Sequence, residues 1–211
     1  MNVLEQILVI PNLLSDVECD LFVDYFKNNE NNEHYESSTN AITGERIQTT
    51  FKCVRLSADH DCYKLAHRKI EQAINLYITH LTEFKSYNVY GIKENLNYPH
   101  AIRILKYEKG ASIHPHTDFN EFAHASCTLN LTDNYTGGDF SFFNKKHNIK
   151  LGKGDALIFP NSHFWVHEVL EITSGVRFSI NSFILSIPED KRRMAKEWAM
   201  RFIDDKKFNI S

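Results

Sequence analysis

Between residues 100 and 187 the chain breaks into short runs rich in Ile, Val, Phe and Tyr, and this pattern constrains the fold most. Glycine turns separate the runs, which are AIRILKY, ASCTLNLT, DFSFF, NIKL, DALIF, FWVHEVL and VRFSINSFIL. Many short strands at close spacing favour a sandwich or a jelly-roll barrel over alternating β-α-β units. The sequence therefore predicts a mainly β fold with a double-stranded β-helix core.

Helices are predicted on both sides of this core. Ser15 and Glu18 fit a capping box that begins an N-terminal helix, whose inner face would carry Val17, Leu21, Phe22, Tyr25 and Phe26. Amphipathic patterns predict a second helix over about 60–82 and a last helix over about 187–205. The fold class is thus a jelly-roll core braced by N-terminal and C-terminal α-helices.

No linker, repeat or low-complexity tract divides the 211 residues, so we predict a single domain, 1–211. Residues 1–99 would supply helical support and a substrate loop, 100–187 the catalytic β core, and 188–211 the C-terminal helix. The polar stretch 28–50 is predicted to be a loop or an irregular hairpin. Its part from 34 to 50 is the candidate cover for a bound substrate.

The bulk composition excludes several classes of protein. The net charge of −3 gives the whole molecule no attraction to nucleic acid, and no run approaches the roughly 18–20 apolar residues of a membrane span. The four cysteines show no metal-like spacing, and the N-terminus has no basic region before its apolar run. We expect a cytoplasmic, reduced protein with no nucleic-acid or membrane partner.

A candidate metal site lies in the segment that contains His116 and Asp118. In an extended chain these two side chains share one face, so each can give one ligand to a divalent metal. A third ligand from a distant strand would complete one face of an octahedron and leave three positions open. We assign that ligand to His167. His163 competes for the distal position, and His114 could form a different pair with His116.

Arg177 lies ten residues after His167 in the last predicted strand. A buried arginine that faces into a barrel needs an anion, and a dicarboxylate would satisfy it. Tyr107 could reach the same carboxylate, and Ser179 and Asn181 would share the strand face of Arg177. The alternative is that Arg177 pairs with a core acid, and the two candidates are Asp155 and Glu168.

Taken in order, these motifs resemble the catalytic domain of the prolyl 4-hydroxylase branch of the 2-oxoglutarate/Fe(II) oxygenases. The matching pieces are Tyr107–Asp118, Gly137-Gly138-Asp139, Gly154–Pro160, His167 and the ten-residue step to Arg177. The resemblance implies a 2-oxoglutarate-dependent dioxygenase that hydroxylates an unactivated C–H bond and releases succinate and CO2. Its cofactor and co-substrates would be Fe(II), 2-oxoglutarate and O2, with ascorbate as a reductant.

By the same resemblance, His116, Asp118 and His167 match the iron ligands. Arg177 matches the residue that binds the distal carboxylate of 2-oxoglutarate, and Tyr107 matches the tyrosine that assists it. The implied substrate is a prolyl residue of a peptide or protein. A free amino acid or another small molecule stays open as an alternative, and the oligomeric state is not indicated.

Two positions depart from the prolyl 4-hydroxylase pattern. Ile113 stands where a tyrosine is usual three residues before the first iron histidine, and Asn130 replaces a tyrosine of the strand before the Gly-Gly turn. Both changes touch the pocket and put the substrate, rather than the chemistry, in doubt. A metal-dependent cupin isomerase or hydrolase and a non-catalytic jelly-roll binding module are the competing classes.

Overall fold

The computed structural model describes residues 3–83, 89–118 and 123–191. Its three α-helices are α1 (Asp16–Asn28), α2 (Asp61–Glu83) and α3 (Val89–Asn95). Its strands are β1 (Leu8–Ile10), β2 (His34–Thr39), β3 (Arg46–Arg55), β4 (Tyr98–Tyr107), β5 (Ile113–His116), β6 (Ala123–Asn130), β7 (Thr136–Gly137), β8 (Phe140–Phe142), β9 (His147–Ile149), β10 (Ala156–Pro160), β11 (His167–Val169), β12 (Ile172–Ser174) and β13 (Arg177–Leu185).

Two antiparallel sheets form the core, and a two-stranded pair of β12 and β7 lies beside them. The larger sheet has the order β1-β10-β6-β13-β4-β3-β2, and the smaller one has the order β5-β11-β8-β9. Buried side chains from both sheets meet in one cluster, which includes Leu105, Leu157, Phe142 and Val169. Each predicted run of the core contains a strand, so the mainly β, jelly-roll fold is confirmed.

The helices cover the outer face of the larger sheet. Phe22 and Phe26 of α1 and Ile70 and Ile74 of α2 belong to one buried cluster with Ile180 of β13. These helices use the i, i+3, i+4 spacing that places apolar residues on one face. The central strands of the larger sheet are therefore buried on both sides, and the inner face of the sheet is the one that faces the smaller sheet.

The capping box that begins α1 is confirmed, because the Ser15 hydroxyl accepts from the Glu18 amide and Glu18 accepts from the Ser15 amide. The predicted inner face was wrong at two positions, since Val17 is 78% exposed and Leu21 is 47% exposed. The buried face of α1 contains Cys19, and Phe22, Val23 and Phe26 lie on the same face at spacings of three, four and seven residues. A displacement of two residues turns about 200° around a helix, which puts Val17 and Leu21 outside.

The first 99 residues contribute more than helices and a loop. Strand β1 pairs with β10, and the polar stretch forms the β2–β3 hairpin at the other edge of the larger sheet. The hairpin is also tied to β5, because the Ala41 amide donates to the Pro115 carbonyl at 2.8 Å and the Ser38 hydroxyl lies 2.9 Å from His114 Nε2.

Only the beginning of the last predicted helix falls within the described residues. Glu189–Lys191 forms one turn of 3-10 helix there, and the rest of the predicted helix lies outside the described part of the chain. The division into a single domain, 1–211, stays a prediction. Among the described helices, none has the length and apolar character needed to cross a membrane.

Candidate metal centre

Two neighbouring strands of the smaller sheet bring the candidate ligands together. His116 ends β5, His167 begins β11, and the two residues are cross-strand partners in the antiparallel register. Facing side chains of such a pair lie close together, and the two imidazole ring centroids are 4.3 Å apart. Asp118 follows β5 by two residues and completes the group.

The three side chains form a compact set of ligand atoms. Asp118 Oδ1 lies 3.5 Å from His116 Nε2, and Asp118 Oδ2 lies 3.5 Å from His167 Nε2. All three groups place one ligand atom within 4.8 Å of the others. Metal–ligand bonds of about 2.1 Å at right angles require roughly 3 Å between ligand atoms. A divalent metal therefore fits after small shifts of the side chains.

Backbone carbonyls orient both imidazoles. Nδ1 of His116 lies 2.9 Å from the His114 carbonyl, and Nδ1 of His167 lies 3.0 Å from the Trp165 carbonyl. A carbonyl only accepts, so each Nδ1 carries the hydrogen of the neutral ring and each Nε2 presents a lone pair. The Asn161 side-chain amide likewise donates to the Asp118 carbonyl and holds that turn.

The electrostatics favour the protonation states that a metal needs. Burial, to which the neighbouring His116 imidazole adds, lowers the pKa of His167 to about 4, so the His167 imidazole is neutral near pH 7. Burial alone would raise the pKa of Asp118. The two imidazoles and the Ser126 hydroxyl outweigh that effect and hold the pKa of Asp118 well below its usual range.

The competing histidines lie outside this group. His114 points its Nε2 at Ser38, and its ring centroid is 6.2 Å from that of His116. His163 is an exposed residue that lines the neighbouring cleft but does not join the three ligand atoms. The structure thus brings together His116, Asp118 and His167 and leaves the alternatives apart.

Arg177 is one of the largest fully buried side chains, with an exposed fraction of 1%. It begins β13 opposite Tyr107 of β4, and its Cζ lies 5.3 Å from the Tyr107 ring centroid. The centroid of the Phe140 ring lies 5.8 Å from Arg177 Cζ and 5.8 Å from the centroid of the His167 ring. The Phe140 ring is therefore a shared neighbour of the Arg177 guanidinium and of His167 in the metal group.

The charge of Arg177 is not balanced by a carboxylate anywhere in residues 3–83, 89–118 and 123–191. Its Nη2 has no hydrogen-bond partner among these residues. The proposed pairing with Asp155 is wrong, since that carboxylate accepts from the Asn12 amide at 3.0 Å and the Gly152 amide at 2.8 Å. Glu168 forms no ion pair with Arg177 in the described structure either. A buried guanidinium with a free edge fits a carboxylate of a bound molecule.

Asn130 fixes the orientation of Arg177. Its amide oxygen accepts from Arg177 Nε at 3.1 Å and from the Tyr135 hydroxyl at 3.3 Å. Its amide nitrogen donates to the carbonyls of Thr132, Leu151 and Gly152, so the reversed amide would set an oxygen against three oxygens. A neutral acceptor holds Nε, which leaves the positive charge uncompensated and Nη2 available.

Gly138 packs closely against Ile172 and the Arg177 side chain. A Cβ added there would lie 2.4 Å from Ile172 Cδ1 and 3.2 Å from Arg177 Cδ, and the φ of +71° also disfavours other residues.

Ser179 and Asn181 share the inner face of β13, and the Ser179 hydroxyl and the Asn181 amide oxygen lack partners in the described part of the chain. Unpaired buried polar atoms are the kind that a polar ligand satisfies.

An open cleft of about 1090 Å³ leads to the metal group. The β2–β3 hairpin forms one wall, and Ile113, His116 and Asp118 form part of the floor. Ile113 therefore stands where a bound substrate would meet the metal. Sequence reasoning marked Ile113 and Asn130 only as departures, and the contacts that show what each does are made across strands.

A jelly-roll core that presents two histidines and one carboxylate on a single face defines the class of non-haem metal oxygenases. Residues 102–185, which are 84 of the 211 residues, match the model of the 2OG-Fe(II) oxygenase superfamily. The family implies Fe(II), 2-oxoglutarate and O2. The buried Arg177, with its free edge one ring away from the His-Asp-His group, fits that set of ligands.

Curated relatives match a short part of the chain. A PKHD-type hydroxylase of Acinetobacter baumannii is 38% identical over 69 residues, which is 31% of this chain and 30% of that protein. The match thus spans less than a third of the curated relative.

Solved structures show the same fold at low sequence identity. A Pseudomonas putida prolyl-4-hydroxylase has a TM-score of 0.64 at 15% identity, over 87% of this chain and 94% of that chain. A Trichoplax adhaerens prolyl hydroxylase in complex with a hypoxia inducible factor peptide fragment has a TM-score of 0.64 at 14% identity, over 90% and 87%.

Proposed function

We propose that this chain is an Fe(II)- and 2-oxoglutarate-dependent dioxygenase that hydroxylates an unactivated C–H bond, with succinate and CO2 as co-products. The observation that carries this proposal is the buried Arg177, which has no acidic partner in the described structure and lies next to the His-Asp-His group. A cupin isomerase or a simple binding module would retain such a costly charge only if it also bound an anion.

Each residue of the site has a proposed role. His116 and His167 would hold the metal through Nε2, and Asp118 through its carboxylate. Iron in this position supplies the oxygen activation that couples decarboxylation of 2-oxoglutarate to hydroxylation of the substrate. Arg177 would bind the distal carboxylate of 2-oxoglutarate through its Nη edge, while Asn130 holds its Nε.

Tyr107 would donate a hydrogen bond to the same carboxylate. Burial raises the pKa of Tyr107 above its usual range, so the hydroxyl keeps its hydrogen at all relevant pH values. Ser179 and Asn181 are proposed to complete the polar contacts of the co-substrate from the same strand face. The rings of Phe140, Phe142 and Phe159 surround His167 and keep water away from it.

The proposed substrate is a peptide or protein, with a prolyl residue as the first candidate. The cleft volume of about 1090 Å³ exceeds the roughly 300–1,000 Å³ of ordinary small-molecule pockets. The edge strand β2 lines this cleft and offers backbone groups to an extended chain. The Trichoplax relative, whose structure holds a peptide, gives independent support for this class of substrate.

The test is a mass-spectrometric screen of proline-containing peptides, other peptides and free amino acids. It uses reduced protein, in keeping with the proposed cytoplasmic location, with Fe(II), 2-oxoglutarate, O2 and ascorbate. We expect a gain of one oxygen on a peptide with equimolar succinate, and neither product with Asp118→Ala. Hydroxylation of a free amino acid alone would replace the peptide proposal, whereas absence of succinate under every condition would overturn the dioxygenase proposal.

A further inference from the structure

A second group of metal-binding side chains lies on the β2–β3 hairpin, and the function proposed above makes no use of it. Its members are His34, Glu36 and Cys53, which place one ligand atom each within 4.8 Å of one another. His34 and Cys53 face each other in the strand register, and His34 Nε2 lies 3.2 Å from Cys53 Sγ. In the described part of the chain, this is the one such group besides His116, Asp118 and His167.

The distances suit a small tetrahedral ion. Bonds of about 2.3 Å to sulfur and 2.0–2.2 Å to nitrogen or oxygen require roughly 3.4–3.6 Å between ligand atoms. The observed His34–Cys53 separation is within a few tenths of an ångström of that value. The Glu36 side chain is partly exposed, so rotation about its own bonds can move the carboxylate by the ångström or so that coordination requires.

We propose that His34, Glu36 and Cys53 form a second metal site, which binds a thiophilic divalent ion such as Zn²⁺ and leaves one coordination position open. One thiolate, one imidazole and one carboxylate are donors that zinc accepts. The group of His116, Asp118 and His167, in contrast, offers only nitrogen and oxygen ligands. Binding converts the Cys53 thiol to a thiolate and releases its proton to solvent.

The surroundings set the strength of this site. Burial raises the pKa of the Cys53 thiol to about 12, and the Glu36 carboxylate adds to the effect, so the thiol is protonated before a metal arrives. Arg103 Nε lies 3.1 Å from Glu36 Oε1 and offsets part of the negative charge that attracts a cation. The open coordination position and the Arg103 contact distinguish this site from closed structural zinc sites, which have four protein ligands.

The position of this group on the wall of the cleft means that a bound metal would affect the access of a substrate. His34 and Glu36 line the same cleft as His116 and Asp118, on the wall formed by the hairpin. An ion held there narrows the path of a peptide without contact with the iron ligands. Inhibition of peptide hydroxylation by Zn²⁺ at this site rests on the proposed function, whereas metal binding itself does not.

Cobalt(II) titration of the full-length protein tests the site, because a thiolate ligand gives an intense near-ultraviolet charge-transfer band and nitrogen and oxygen ligands do not. We expect two Co²⁺ per chain and a thiolate band. His116→Ala should bind one Co²⁺ and keep the band, which separates this site from the iron site. Cys53→Ala should bind one Co²⁺ without the band.

Two further variants serve as a cysteine control and as a second test of the proposed ligands. Cys127→Ala removes an equally buried cysteine of the larger sheet outside the group, and it should behave like the native protein. His34→Ala changes an exposed side chain that belongs to no buried cluster. It should raise the Co²⁺ concentration that gives half of the band at least tenfold. A native protein without a thiolate band, or a band that persists in Cys53→Ala, would overturn the proposal, whatever the hydroxylation assays show.

Discussion

Replacement of Arg177 by methionine should change stability and co-substrate binding in opposite directions. Methionine keeps most of the side-chain volume but removes a charge that is 1% exposed and unpaired within the described residues. The Asn130 amide oxygen loses the hydrogen bond from Arg177 and keeps the one from the Tyr135 hydroxyl. The lost hydrogen bond costs about 1 kcal/mol. Relief of the buried charge is worth roughly several kcal/mol. The free energy of unfolding without ligand should therefore be unchanged or higher.

The same substitution should weaken 2-oxoglutarate binding by roughly 10²-fold, which equals about 2.7 kcal/mol. At a concentration of 100 times the native Kd, ligand stabilises the native protein by about 2.7 kcal/mol and the variant by only about 0.4 kcal/mol. For a chain of 211 residues, 2-oxoglutarate should therefore raise the Tm of the native protein by roughly 5–11 °C and that of the variant by roughly 1–2 °C.

Thermal denaturation with Mn²⁺ as a redox-inert metal, with and without 2-oxoglutarate, measures both effects. Arg55→Met is the matched control, because Arg55 is an exposed arginine on the wall of the same cleft. It should retain the full ligand-induced shift. If Arg177→Met lowers the Tm of the unliganded protein by several degrees and keeps the native shift with 2-oxoglutarate, Arg177 is a structural residue and the co-substrate assignment is refuted.

Three further predictions follow from the same contacts. Tyr107→Phe should weaken 2-oxoglutarate binding by about 1 kcal/mol, the worth of one hydrogen bond, in the same thermal assay, and a loss as large as that of Arg177→Met would contradict its assisting role. His167→Ala should abolish succinate formation and metal retention, whereas His163→Ala should keep both; the opposite pattern in metal analysis and succinate assays would move the distal ligand to His163. Removal of residues 41–44 shortens the hairpin at its tip but keeps the Thr39–Arg46 strand pair. It should reduce peptide hydroxylation strongly while slow conversion of 2-oxoglutarate without substrate continues, and unchanged peptide turnover would refute the role of the hairpin as a cover.

Local patterns in the sequence predicted most of the elements that carry the site. Strands between glycine turns could be recognised because each turn interrupts an apolar run, and the capping box gave the start of α1. Strand β1 was not predicted, because it has three residues and its partner β10 lies far away in the sequence. The exposed Val17 and Leu21 show that an apolar residue does not by itself reveal which face of a helix is buried.

The limits of prediction at the site have the same physical origin. Spacing alone could place His116 and Asp118 on one face, since both belong to one extended segment. No local pattern could show that Asn130 holds Arg177, because β6 and β13 bring them together across a gap of 47 residues. The same is true of His34, Glu36 and Cys53, which become neighbours only when β2 pairs with β3.

The most direct test of the dioxygenase proposal is the conversion of 2-oxoglutarate to succinate by the purified chain with Fe(II) and O2. Succinate should form with one Fe(II) bound at the His116, Asp118 and His167 group, and it should require oxygen. Asp118→Ala should lose both the iron at this group and the succinate, with its fold intact. Succinate formation that continues at the native rate in Asp118→Ala, or that never occurs in the iron-loaded native protein, would contradict the account.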